Sequence, residues 1–178
     1  MTMTSSHGYK KVLRMSFRIC PAIILAGMAV ATIFFVRADI SGTSMAPTLN
    51  DGDVCVAVRP WAAGGPKRGD IVLARDPGRD RILVKRVAAV GGDHVEIDDH
   101  GSLSVNGEAI REPYADIPDA PGQACAWDVP DGFLFVLGDN RGGSMDSRDP
   151  RVGPIPEGSV IGIVWFRMLP CRSVGAVP

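Results

Sequence analysis

Apolar and polar positions divide the chain near residue 38. Between Arg18 and Arg37 runs "ICPAIILAGMAVATIFFV", eighteen residues without a charge. That is about the shortest run that crosses a hydrocarbon core of roughly 30 Å as a helix. Pro21 falls in the first turn of such a helix, where its missing N–H costs little. The pattern predicts a transmembrane anchor over 19–37. A cleaved secretory signal is the rival reading, because "VRA" at 36–38 has the small-x-small form of a cleavage site. The apolar region of such a signal usually spans only ~7–15 residues, and the longer run here favours a retained anchor. A buried core helix is the third reading, weakened by the basic cluster before the run and the polar sequence after it.

Beyond residue 38 the period changes. "DVCVAV" (53–58) and "DIVLAR" (70–75) are short β-branched runs, separated by the Gly/Pro-rich "RPWAAGGPKRG". "RILVKRVAAV" (81–90) follows the turn "DPGRD", and "HVEID" and "LSVNG" flank "DHGS" as a hairpin would. Residues 111–130, rich in proline and aspartate, read as an excursion. "GFLFVLGD" and "GSVIGIVWF" are the last strong strands. Nothing after residue 41 keeps a helical period. The prediction is a mainly β fold, an antiparallel and partly closed sheet, with one N-terminal transmembrane helix.

Charge settles the orientation. Lys10, Lys11, Arg14, Arg18 and Arg37 are the charged residues of the first 37 positions, which leaves 14 basic against 20 acidic residues in the remainder. A body with a net charge of −6 argues against a nucleic-acid partner. A basic tail over 1–18 held on the cytoplasmic side puts residues 39–178 outside, as a β domain with a small excursion at about 93–130. The expected location is the cytoplasmic (inner) membrane, crossed once, with the lipid bilayer as a partner. The four cysteines add little: Cys20 and Cys55 read as buried thiols, and Cys125 and Cys171 could pair in an oxidising compartment. No Cys/His ligand spacing appears, so neither a metal nor a cofactor is expected.

"SGTSMAPTLNDGD" (41–53) follows the anchor and presents Ser44, a weak nucleophile without a base. His7 precedes the membrane segment, and His94 and His100 lie in or beside the hairpin, so none is placed to serve it. Lysine is the other established partner. Lys67 lies in a solvated loop. Lys85 lies mid-strand, with Leu83 and Val87 on its face and Val84 and Arg86 on the other. Apolar neighbours strip hydration from an ammonium and favour the neutral amine. On pattern alone a snorkelling or edge-strand lysine stands beside that reading. A third stretch, "LGDNRGGSMDSRDPRVG" (137–153), holds Arg141, Ser144, Asp146 and Arg148 among glycines, more than a turn needs. An Asp146–Arg148 pair could brace it, and Ser144 could hydrogen-bond a nearby amine.

Together these stretches resemble the type I signal peptidases, the S26-type membrane-bound serine/lysine proteases. "SGTSMAPTLNDGD" is similar to their nucleophile box, "VKRVAAVGGD" to their lysine box, and "GDNRGGSMDSR" to their C-terminal box. The resemblance covers most of 39–165. It implies Ser44 as nucleophile, Lys85 as general base, Ser144 orienting the lysine, and Asp146 and Arg148 stabilising the loop. Ile40, Met45, Leu49, Leu83 and Val84 would line the pockets for small residues at −1 and −3 of exported preproteins. Many members carry a serine where this chain has Gly42, so the Ser44 N–H becomes the principal oxyanion donor, with Ser41 or Thr43 assisting. "AAVGGD" stands in place of the usual "VGLPGD". The implied function is endopeptidic removal of signal peptides through a Ser–Lys dyad and an acyl-enzyme. A dedicated conjugative-transfer or pilin-processing peptidase of the same chemistry, and a non-catalytic membrane-anchored binding domain, are the alternatives.

Overall fold

The computed structural model describes residues 21–76, 78–118, 124–170 and 174–177. The chain divides into two units, one running to Phe35 and the other from Val36 onward. In the first, residues 21–34 form a helix, which at 1.5 Å per residue rises about 21 Å. No helix among the described residues is long and apolar enough to cross a membrane. The basic tail and the first two residues of the apolar run lie outside the described residues. The chain becomes extended at Phe35, inside that run, where aromatic residues and valine suit a strand.

The second unit is built of antiparallel strands. In chain order they are β1 (Phe35–Asp39), β2 (Val54–Val58), β3 (Ile71–Arg75), β4 (Ile82–Val90), β5 (His94–Ile97), β6 (Leu103–Val105), β7 (Glu108–Ala109), β8 (Cys125–Asp128), β9 (Phe133–Leu137), β10 (Ile155–Pro156), β11 (Val160–Leu169) and β12 (Gly175–Ala176). The larger sheet has the order β1-β2-β11-β3-β4-β9-β10, with β12 alongside β11. The smaller, in the order β7-β6-β5-β8, occupies residues 94–128.

Period-2 alternation divides the interior. On β3, Ile71 and Leu73 enter one core with Met45 and Leu49, whereas Val72 and Ala74 enter another with Val136 and Ile155. The small sheet buries Val95, Leu103 and Val105 against Phe135 and Leu137 of β9. Burying one such side chain fully is worth about 1.5–3 kcal/mol. Trp127 joins this cluster, its ring 6.2 Å from that of Phe135. That packing makes β8 a strand within a segment whose composition reads as an excursion, and "CAWD" itself has no β-branched residue. Cys55 and Cys125 are free thiols, and Cys20 and Cys171 lie outside the described residues.

Candidate active site

Ser44 sits in a tight turn between β1 and β2. The Ala46 N–H donates to the Thr43 carbonyl (3.0 Å) and the Leu49 N–H to the Met45 carbonyl (2.8 Å). Met45 and Leu49 are fully buried and pin the turn to the core. Gly42 has φ +88°, a left-handed conformation that glycine adopts without strain. Its N–H is occupied by Asp51 Oδ1 at 2.7 Å. The Gly42 N–H is thereby engaged, whereas the Ser44 N–H, the principal oxyanion donor expected from the sequence, has no partner among the described residues.

Lys85 reaches the same point from β4. The β3–β4 register puts Lys85 opposite Val72 and Leu83 opposite Ala74, so the lysine rises from an apolar face. Its Nζ lies 2.7 Å from Ser44 Oγ. Only 5 % of the residue is exposed. Loss of hydration is the largest influence on the amine; Arg81 and Arg148 push the same way, Asp146 and Asp139 oppose, and the result is a pKa lowered from 10.5 to about 8. Among the described residues the histidines are elsewhere: His94 pairs with Asp128 and Glu96, and His100 with Asp99, in or beside the small sheet, while His7 lies outside the described residues.

The glycine-rich loop after β9 closes the site. Asp146, buried, accepts from the Gly138 N–H (2.9 Å) and takes the Arg148 guanidinium in two bonds of 2.8 and 2.9 Å. Arg148 also donates to the Arg141 carbonyl at 2.7 Å. Gly138 must be a glycine, because a Cβ there would strike the Ser144 side chain and the Ser44 carbonyl. Ser144 Oγ is buried against Gly138 with no hydrogen-bond partner among the described residues, so the bond to the lysine expected from the sequence is not formed in this structure. A groove of about 640 Å³ runs past Ser44 and Lys85, walled by Ile40, Met45, Leu83 and Val84. Leu49 stays in the core behind it. Among the described residues no cluster of three or more His, Cys, Asp or Glu side chains could hold a metal ion.

The family model for signal peptidase, peptidase S26, matches residues 12–169. The chain belongs to this family. It is 36% identical over 163 residues to signal peptidase I of Bacillus licheniformis, covering 86% of each chain. It is 32% identical over 174 residues to signal peptidase I U of Bacillus subtilis (strain 168), covering 91% of this chain and 89% of that one. A solved signal peptidase I from Enterococcus faecalis V583 is 31% identical and covers 55% of this chain and 95% of that chain, with a TM-score of 0.49.

In this member of the serine endopeptidase family S26, several groups around the site carry no signal in the sequence. Arg86 and Asp139 form a buried two-bond ion pair (2.9 and 2.8 Å), and Tyr114 lies under the Arg86 guanidinium, 3.9 Å from its ring centroid. Asn140 donates through its N–H to the Ser44 carbonyl (3.1 Å) and through Nδ2 to the Thr43 carbonyl (3.2 Å). Glu112 pairs with Arg141. The alternation of β4 puts Arg86 on the face away from Lys85 but names no partner for it, because Asp139 is 53 residues distant in sequence.

Proposed function

We propose that this chain is a membrane-anchored signal peptidase that cleaves exported preproteins after small residues at −1 and −3. Ser44 is its nucleophile and Lys85 its general base. The observation that carries the reading is the 2.7 Å contact between Ser44 Oγ and an amine whose pKa is brought to about 8. A base poised near the working pH is what proton transfer from a serine needs. The apolar groove walled by Ile40, Met45, Leu83 and Val84 suits small side chains of an extended substrate.

The neutral Lys85 amine takes the Ser44 proton as Oγ attacks the scissile carbonyl. The oxyanion is held by the Ser44 N–H, assisted by the Ser41 or Thr43 hydroxyl. Collapse expels the new amino terminus, which receives its proton from Lys85, and leaves the acyl-enzyme. Water then gives a proton to the neutral lysine, attacks the ester, and the proton returns to Ser44 Oγ as the signal peptide acid departs. Asp146, bound by Arg148, keeps the loop beside the amine, and Ser144, whose hydroxyl is unpartnered among the described residues, is the residue assigned to orient the lysine. Gly42 gives the nucleophile turn its shape.

The test is cleavage of a preprotein by the full chain in detergent or vesicles. Ser44→Ala should abolish the product while the variant keeps a cooperative unfolding transition. Wild-type rates in that variant would sink the reading.

A further inference from the structure

Between β7 and β8 the chain leaves the small sheet and runs beside the glycine-rich loop. Asp116 forms a parallel bridge with Asn140, its N–H donating to the Asp139 carbonyl (2.7 Å) and its carbonyl accepting from the Arg141 N–H (2.9 Å). Pro118 lies 3.2 Å from where a Cβ on Gly142 would stand. Glu112 sets its carboxylate 2.5 Å from Arg141, with both side chains almost wholly buried. The Tyr114 hydroxyl donates to that carboxylate at 3.2 Å, and its ring carries Arg86, which in turn holds Asp139. The segment thus grips the loop at Asp139 and at Arg141.

What it grips bears on the reaction. Arg141 Nε donates to the Gly138 carbonyl (3.1 Å), and Asn140, between the two gripped residues, holds the Thr43 and Ser44 carbonyls. Stability alone is a poor account of this pair. Arg141 Nη1 is buried without a partner among the described residues, so the guanidinium is incompletely satisfied. A buried ion pair of that kind adds little over apolar packing, and what it supplies is a fixed geometry. We infer that Glu112 is a positioning residue: by holding Arg141 beside Gly138 it fixes Asn140, and through Asn140 the peptide that aims Ser44 Oγ.

This inference rests on the peptidase reading, and the experiment separates the two. Steady-state cleavage of a signal-peptide substrate is measured for the full chain and for Glu112→Gln, which keeps size and one acceptor but loses the charge. A misaimed nucleophile should lower kcat about 10- to 100-fold, with KM held within about two-fold because the groove walls are untouched. The acid limb of the pH profile should move little, since the largest influences on Lys85 are its loss of hydration and the charges of Asp146, Arg81, Arg148 and Asp139. Glu112→Asp, which restores the charge on a shorter arm, should recover part of the lost kcat. Unchanged kcat in Glu112→Gln overturns the inference and leaves the peptidase reading standing. So does a loss that tracks KM or a collapsed melting transition, which assigns Glu112 to folding. A wild-type chain that cleaves nothing sinks both.

Discussion

Lys85 and Ser44 bring together two costs that the fold must carry, a desolvated amine and a left-handed turn. Burial lowers the lysine pKa from 10.5 to about 8, and the sign of the stability effect follows. The unfolded chain binds this proton between those two pH values and the folded chain does not, so stability rises with pH across that window. Below about pH 8 the full penalty applies, on the order of 3 kcal/mol. Lys85→Met should therefore be inactive at every pH yet more stable than the parent at pH 7, with the gain gone above about pH 10.5; urea unfolding at several pH values measures it. For activity, kcat/KM should fall as pH drops below about 8, as the amine gains its proton. His94, raised by its bond to Asp128, could imitate that limb, so the profile is also read in the variant with His94 and His100 both changed to Gln. A limb that vanishes with the histidines would remove lysine as the base. At Gly42 the space for a Cβ is open but φ is +88°, so Gly42→Ser should lose about 1–2 kcal/mol from backbone strain.

Strands and loops set how these residues meet, and the two faces of β4 do different work. One face presents Lys85 to the nucleophile; the other buries Arg86 against Asp139. Removing the carboxylate of such a buried pair leaves the Arg86 guanidinium without its counter-charge, so Asp139→Leu should cost about 3–5 kcal/mol, read as a lowered urea midpoint. Gly138→Ala should remove activity at a smaller stability cost, since its Cβ would push the loop off Ser44, and a fully active variant would show that the loop can yield. The face of Lys85 was legible because alternation over nine residues admits one arrangement. The nucleophile turn and the loop were legible as motifs. The β1 strand was not, because "FVRAD" continues an apolar run that reads as anchor, and β8 acquires its conformation from pairing with β5 and the packing of Trp127. Glu112 was illegible for a related reason: in sequence it is one more acid in a proline-rich stretch, and only the approach of Arg141 gives it a role.

At the scale of the whole molecule, the proposed anchor predicts which side of a membrane the body occupies and that it stays attached. On the proposed reading, Lys10, Lys11, Arg14 and Arg18, the four basic residues before the apolar run, would hold the tail on the cytoplasmic side. The rival is release after "VRA", and the second unit bears on it directly. Ala38 is only 6 % exposed and lies in β1, which pairs with β2, and Ile40 beyond it enters the core around Met45. A peptidase needs its substrate extended and accessible, so cutting after Ala38 would require β1 to leave the sheet and expose that core. The proposed anchor reading therefore predicts retention rather than processing once the body has folded. The full chain should sediment with membranes and resist alkaline extraction. Protease added to the outer face of wall-stripped cells should digest the body from about residue 39, while a tag placed before Met1 survives. Recovery of a soluble body beginning at Asp39 would show that processing precedes folding and that residues 19–37 are a signal rather than an anchor.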